Sequence, residues 1–300
     1  MAAPRLRLRG RELSVDGTLV MGVVNASPES FSDRGRYQTV SDQLARAAEV
    51  VECGAHIVDI GGQSAITGQP ELSADEEVER VVPIVEWVRK SYPDTIVSVD
   101  TYKPLVARQV LAAGAHMIND VSGLRYPETA AACAEFGAGL VIMHTKALPK
   151  HRLQDSAAYD DVAEEVRRFL DAKIEQAVSL GVARESIIVD PGPDFAKTPH
   201  QTITLLRRVA EFRRFDRPLL LALSRKDFLG AILGKPPLGR DAGTVAAIAH
   251  IAAVPGNIVR VHDVEAALDA IRTIDALVGR AEVAPDYRLP DAIRHEPVTS

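Results

Sequence analysis

Eight times along this 300-residue chain a short apolar run breaks off at or beside a polar residue, and a stretch of helical character follows each run. The runs read LVMGVVN, HIVDI, TIVSVD, HMIND, GLVIMH, SIIVD, PLLLAL and NIVRV, and six of the stops are Asn25, Asp100, Asn119, His144, Asp190 and Arg260. Runs this short, built from Val, Ile and Leu, suit parallel strands buried on both faces. Hydrophobic residues make up 46% of the chain but aromatics only 5%, so any core must be largely aliphatic. Eight strand and helix units in succession predict an α/β fold of the (β/α)8 TIM-barrel kind. In such a barrel the strand C-termini converge on one mouth, which would gather these carboxylates, amides and cations around a single pocket.

The helical stretches fall at about 42–53, 74–92, 104–113, 128–136, 160–180, 200–212, 242–254 and 264–278, and Ser73 with Glu76 has capping-box spacing. Ahead of the barrel, LRLRGRELSV alternates apolar and polar residues and ends in Asp16-Gly17, a hairpin signal. A short N-terminal β-ribbon over 5–18, covering the barrel bottom, is expected. One domain then spans 1–280, with the barrel over 19–280. A C-terminal extension over 281–300, with Pro285, Pro290 and Pro297, shows no helical period. Three connections are long enough to be functional: 26–41, 61–73 and the polar segment TKALPKHRLQDSAAYDD, which reads as a mobile flap over the mouth.

A formal charge of −6, with no cationic cluster beside stacking aromatics, argues against nucleic acid as a partner. No apolar run approaches the ~18–20 residues of a membrane span, and the basic start MAAPRLRLRGR lacks the apolar core of a signal peptide. A cytoplasmic protein with no membrane partner is expected. Cys53 and Cys133 have neither CxxC spacing nor a nearby His cluster and read as buried, reduced thiols.

SVDT at 98–101 and IIVDPG at 187–192 each place an aspartate at a strand exit, where it could equally cap the next helix. Two such carboxylates facing one mouth, with the amide of Asn119 between them in sequence, suit a flat heterocycle presenting several N–H donors. A lone Arg or Lys at a strand end is more often a surface ion pair. Lys226 in SRK, with Arg260 and His262 in RVHD, crowd adjacent strand ends where barrels commonly bind phosphate, so an anionic group is expected there.

MGVVNASPESFSD at 21–33, SVDT, INDVSG at 118–123, VIMH at 141–144, DPG, SRK and RVHDV at 260–264 occur in the order seen in dihydropteroate synthases, and the chain resembles that family from residue 21 to residue 264. The family condenses 6-hydroxymethyl-dihydropterin pyrophosphate with p-aminobenzoate and releases pyrophosphate with the help of magnesium. The resemblance implies that Asp100, Asn119, Asp190 and Lys226 grip the pterin, with Met143 and Phe195 lining its pocket. It further implies that Asn25 holds the Mg²⁺–pyrophosphate, that Arg260 and His262 bind the leaving anion, and that Ser224 and Lys226 border the p-aminobenzoate side. Asp100, Asp190, Lys226, Arg260 and His262 would then be the catalytic set. A homodimer formed through outer helices is also implied.

The resemblance breaks in the loops. Where the family reads DIGGESTRPG this chain reads DIGGQSAITG at 59–68, placing Gln63, Ala65, Ile66 and Thr67 at the Glu, Thr, Arg and Pro positions. Ile66 cannot supply a guanidinium, and losing one preorganised donor costs on the order of 10²–10³ in rate. Asp194 and Ala196 in DPGPDFAKT replace glycines of DPGIGFGKT, and Ala222 replaces the glycine of GASRK. Arg34 replaces a glycine of SDGG, and Arg34 or Arg36 could stand in for the missing Arg, although a solvated loop charge is the plainer reading. The expectation is a divergent member resembling a second, non-folate dihydropteroate synthase. It would retain the pterin and pyrophosphate pocket but have weak or absent synthase activity. An active synthase in folate biosynthesis is the alternative. A pterin-binding methyl-transfer barrel is a further one, against which stand the lack of a corrinoid-binding region and the presence of RVHDV and SRK.

Overall fold

Eight parallel strands close into a barrel in sequence order. They are β3 (Thr18–Asn25), β4 (Ile57–Gly61), β5 (Ile96–Asp100), β6 (Met117–Asp120), β7 (Gly139–Met143), β8 (Ile187–Asp190), β9 (Leu219–Ala222) and β10 (Asn257–Val261), and β10 pairs back onto β3. The structure is a computed structural model that describes residues 3–26, 39–63 and 70–295. Around the barrel lie α1 (Val40–Glu52), α2 (Ala74–Ser91), α3 (Pro104–Ala112), α4 (Pro127–Phe136), α5 (Val162–Ser179), α6 (Pro199–Arg207), α7 (Asp227–Leu233), α8 (Asp241–Ala252) and α9 (Val264–Leu277). The expected TIM barrel is therefore present, and Ser73 and Glu76 do form a reciprocal capping box at α2.

Period-two alternation along each strand separates two cores. Val20, Val24, Val58, Ile60, Val97, Val99, Ile118 and Ile142 face outward into the layer shared with the helices. Met21, Ile57, Ile96, Met117, Val141, Ile188, Leu220 and Ile258 face inward and form a smaller cluster in the lower barrel. Two residues further along the inward face the apolar layer gives way to a polar one: Asp59 follows Ile57, Ser98 follows Ile96, Asn119 follows Met117, Asp190 follows Ile188 and Arg260 follows Ile258. The same spacing that fills the lower barrel thus builds the upper site.

A two-stranded antiparallel ribbon, β1 (Arg5–Leu8) and β2 (Arg11–Ser14), closes the bottom. Its turn is Arg9-Gly10, both at positive φ (49° and 81°), and not the expected Asp16-Gly17, which leads directly into β3. A left-handed pair matches the strand twist of a tight hairpin, and Arg9 is kept there by donating to the Ala115 carbonyl at 3.0 Å. Leu6, Leu8 and Val15 plug the inner apolar cluster. Gly139 makes room for them, because a Cβ there would lie 2.3 Å from Leu8 Cδ2.

Three other expectations need correction. Cys53 is exposed, since it caps the C-terminus of α1 outside the packed face, whereas Cys133 is buried. The expected helix over 200–212 ends at Arg207 and continues as a 3₁₀ segment over Val209–Phe215. After β9 a short extra helix, α7, precedes α8, so the SRK motif opens a helix of its own. Among the described residues no helix is long and apolar enough to cross a membrane. Residues 281–290 are exposed throughout, and one 3₁₀ turn follows at Asp291–Ile293.

Candidate active site

A cleft of about 460 Å³ opens at the C-terminal end of the barrel. Asn25, Asp100, Phe195, Lys226, Arg260 and His262 all line it, as do Gln63, Asp194 and Ala196. Strand register explains part of this convergence, because Asn25 pairs with Gly61, Gly61 with Asp100, and Asp100 with Asn119 on neighbouring strands.

Asp59 is the centre of the polar layer and is fully buried. Its Oδ2 accepts from Arg260 Nε at 2.6 Å and from Asn119 Nδ2 at 3.2 Å, while Arg260 Nη2 donates to Asp100 Oδ2 at 2.9 Å. Burial works against the Arg260 charge, but Asp59 and Asp100 together hold the guanidinium above its ordinary range. Burial pushes the Asp100 carboxyl up to about 7, with Arg260 opposing and Asp59 reinforcing the shift. Asp59 Oδ1 and Asn119 Oδ1 are buried and have no hydrogen-bond partner among the described residues. Orphaned acceptors of this kind are costly unless a ligand supplies donors.

Asn119, Met143 and Asp190 lie at 2% exposure or less, beneath the cleft and not on its rim. Met143 and Asp190 are register partners on β7 and β8. Asp190 Oδ1 accepts the Gly192 N–H at 2.7 Å, and burial raises the Asp190 carboxyl to about 6 despite that bond and the nearby Lys226. His144, expected on the rim, is instead buried below it. Its Nδ1 lies 3.0 Å from the ammonium of Lys197, and burial with that neighbouring cation lowers the imidazole to about 2. A neutral His144 accepts from Lys197, which also donates to the carbonyls of Gly192 at 2.8 Å and Phe195 at 3.0 Å. Lys197 is fully buried, and burial brings it down to about 7. Gly192, at φ 68°, has to lack a side chain because a Cβ would come 2.1 Å from the His144 carbonyl.

Lys226 precedes α7 and sets its Nζ 4.1 Å from the centroid of Phe195, a cation–π contact. Burial lowers its pKa, and Asp194 and Asp190 act against that shift. Ser224 is not on the cleft wall; its Oγ lies 2.9 Å from His262 Nδ1 and thereby orients the imidazole. Ala222 is buried at the end of β9. Asp194 and Ala196 both adopt left-handed backbone, with φ of 64° and 51°, as the glycines of the resembling motif would do without strain.

At the entrance to the second loop, Gln63 Nε2 donates to the Tyr102 hydroxyl at 3.1 Å and Gln63 Oε1 accepts the Leu72 N–H at 2.7 Å. The Tyr102 hydroxyl donates onward to Glu71 at 2.7 Å. Ala65, Ile66, Thr67, Arg34 and Arg36 lie outside the described residues. Residues 147–154 of the expected flap line the cleft, and the base of that segment is fastened by Gln201 Nε2 to the Asp155 carbonyl at 3.0 Å and by the Tyr159 hydroxyl to the Ala196 carbonyl at 2.9 Å.

Asp59, Lys197 and the Tyr102–Glu71 pair were not singled out from sequence. An aspartate two places beyond an inward isoleucine in HIVDI was a usable signal for Asp59. The other contacts join distant segments and leave no local pattern.

Comparison with known proteins gives the same chemistry a family. A family model described as "Pterin binding enzyme" matches residues 21–262. The dihydropteroate synthase of Synechocystis is 44% identical over 262 residues, covering 87% of this chain and 90% of its own length. The protein named inactive dihydropteroate synthase 2 of Mycobacterium leprae is 41% identical over 278 residues, covering 91% of this chain and 94% of its own. The crystal structure of Yersinia pestis dihydropteroate synthase in complex with a sulfonamide drug superimposes with a TM-score of 0.86 at 36% identity, covering 92% of this chain and all of that one. The matches span the barrel and every strand that contributes to the cleft, and the chain belongs to the dihydropteroate synthase family.

Proposed function

We propose that the strand-borne pocket binds a pterin diphosphate and that the chain performs the family's condensation with p-aminobenzoate weakly or not at all. The polar layer of Asp59, Asn119, Asp100 and Arg260 carries this reading, because its two orphaned buried acceptors match a flat heterocycle rich in N–H donors. Asp190 lies beside Met143 in the adjoining floor, and Phe195 with Lys226 forms a side wall.

In the family reaction the C–O bond of the pterin methylene breaks, diphosphate departs with the bonding pair, and the amine nitrogen forms the C–N bond and gives up a proton. Asp100 and Asp190 face the positive charge that grows on the pterin side. Arg260, with His262 oriented by Ser224, faces the negative charge on the diphosphate. Among the described residues no group of three or more His, Cys, Asp or Glu side chains could hold a metal. Magnesium is often held largely by substrate phosphates, and Asn25, whose side chain carries an amide oxygen, is the residue that would hold such a Mg²⁺ ion beside the diphosphate. Bound there, it would neutralise charge on the leaving group.

Weak turnover follows from the second loop, where Ile66 replaces a charge-stabilising arginine. The relatives include proteins named dihydropteroate synthase and proteins named inactive dihydropteroate synthase 2, so the alternative of a working synthase is kept. Its support is that Lys226, Arg260 and His262 all reach the cleft. Purified protein assayed for dihydropteroate with Mg²⁺, with pterin diphosphate binding measured in parallel, separates the two. Binding without turnover supports the first reading, turnover at ordinary family rates supports the second, and absence of both defeats each.

A homodimer is part of the same proposal. An apolar groove of about 320 Å³ runs between α6, α7 and α8, bordered by Leu206, Phe228, Ile232 and Leu233. Ile232 is 59% exposed, and a second copy covering this face would bury it. Sedimentation of a monomer at micromolar concentration would contradict the dimer.

A further inference from the structure

We propose that Asp194 is a positioning residue which ties the loop after β8 to the first turn of α7 and so holds the Lys226 ammonium against the Phe195 ring as one wall of the ligand slot. Its backbone is left-handed at φ 64°, a conformation that glycine meets without strain and that an aspartate accepts more readily than most residues. The side chain is put to use. Asp194 Oδ2 accepts the backbone N–H of Phe228 at 3.2 Å, across 34 positions of sequence, while the Asp194 N–H donates to Thr202 Oγ1 at 3.0 Å. One residue therefore joins α6, the loop after β8 and α7.

Phe228 stands two positions beyond Lys226, and Phe195 is the immediate neighbour of Asp194. The hydrogen bond thus closes a short circuit in which the ammonium and the ring it sits on are fixed from both sides, 4.1 Å apart. Arg240 Nη1 holds the outer side of the same turn by donating to the carbonyls of Arg225 at 2.9 Å and Lys226 at 3.0 Å. Asp194 also lines the cleft, and its carboxylate is among the charges facing Lys226, with Asp190 and Asp227 of like sign and Arg260 opposed. Where a glycine occupies this place the chain loses the bracket and gains backbone freedom, so Asp194 gives a stiffer wall than the family motif.

Two substitutions separate the bracket from the charge. Asp194→Asn keeps an oxygen to accept the Phe228 N–H and tolerates left-handed backbone. Asp194→Gly relieves the backbone and deletes the acceptor. In the free full-length protein, amide hydrogen exchange at Phe228 is expected to be unchanged in Asp194→Asn and about tenfold faster in Asp194→Gly, the loss of one modest hydrogen bond. Affinity for the pterin diphosphate, by calorimetry, is expected to stay within about threefold in Asp194→Asn and to fall about tenfold in Asp194→Gly. The thermal midpoint of Asp194→Gly is expected to stay well above the temperature of both measurements, which excludes unfolding as the cause. Retained protection at Phe228 in Asp194→Gly overturns the bracket, as does an Asn variant that behaves like the Gly variant. Unchanged affinity in a deprotected Asp194→Gly overturns the positioning role. The affinity arm rests on the pterin reading, whereas the exchange arm does not: a wild type that binds no pterin diphosphate defeats the proposed function, and the Phe228 measurement still decides the bracket.

Discussion

Asp59 Oδ2 accepts the Nε–H of Arg260 at 2.6 Å, linking β4 to β10 past the intervening β3. The same oxygen accepts from the Asn119 amide, so one buried atom orients both a cation and an amide. Truncation by Asp59→Ala would strand the guanidinium with only Asp100 to answer it. Breaking a buried pair on one side costs about 3–5 kcal/mol, and the surviving Asp100 contact places the expected loss at the lower end. Urea unfolding measures it. A change below about 1 kcal/mol would mean that Arg260 re-pairs freely and that the layer is not rigid.

The sites of the strands and of Asn25, Asp100, Asp190 and Arg260 were legible because strand ends and period-two spacing are local properties of the sequence. Asp59 was hidden by its position within HIVDI, although its inward phase was already implied by Ile57. His144 was misplaced because a residue just past a strand can turn either way, and here Lys197, 53 positions distant, draws it below the cleft. The ribbon turn at Arg9-Gly10 lost to Asp16-Gly17 on local turn chemistry, yet the insertion of Leu8 beside Gly139 is what sets the register. In each case a contact between distant segments overrode a local signal.

Asp190→Ala and Asn119→Ala are expected to weaken pterin diphosphate binding by about 1–3 kcal/mol each, the cost of leaving buried donors or acceptors on the ligand unpaired. Calorimetry on the two variants and the wild type reads this directly. Affinity unchanged in both would place the ligand elsewhere.

Acidity should act on stability and binding in opposite senses. Burial raises the Asp100 carboxyl to about 7 and the Asp190 carboxyl to about 6, against an ordinary value near ~3.9 in the unfolded chain. Between about pH 4 and 7 the folded state therefore holds more protons than the unfolded one, so the stability from these groups is complete below about pH 4 and is lost as pH rises through 6 to 7. Asp100→Asn should accordingly gain on the wild type in urea midpoint between about pH 5.5 and 8. Ligand N–H donors need the ionised carboxylates, so affinity should climb over the same interval. Affinity that is flat from about pH 5 to 8 would contradict the assignment of Asp100 and Asp190 to the ligand.

Ala196 offers a test of backbone strain, because its φ of 51° lies where a Cβ is disfavoured. Replacing it with glycine should raise stability by roughly 1 kcal/mol, the relief of a left-handed alanine less the entropy returned to the unfolded chain. The Tyr159 bond to the Ala196 carbonyl uses backbone only and would survive the change. A fall in the thermal midpoint would show that the alanine methyl packs more usefully than its conformation costs.

Restoring the family's second loop should recover synthase turnover, but Gln63 complicates the graft. Ala65→Thr, Ile66→Arg and Thr67→Pro return the hydroxyl, the guanidinium and the proline, whereas Gln63→Glu acts on a residue that is already engaged. Gln63 donates to the Tyr102 hydroxyl, which donates to Glu71. A glutamate at 63 can only accept, so it would compete with Glu71 for the single phenolic proton and bring two carboxylates toward each other. The threefold graft that keeps Gln63 is therefore expected to outperform the fourfold one, and adding Glu71→Gln to the fourfold graft should recover the lost turnover. Because an arginine acting on charge developed in the transition state raises kcat more than it tightens ground-state binding, the gain should appear in turnover, by about tenfold or more. Steady-state assays of dihydropteroate formation on the three variants decide it. A folded threefold graft with no product would place the block deeper, at Asp194, Ala196 and Ala222. A fourfold graft that matches the threefold one would show that the Gln63, Tyr102 and Glu71 chain does not hold the base of the loop.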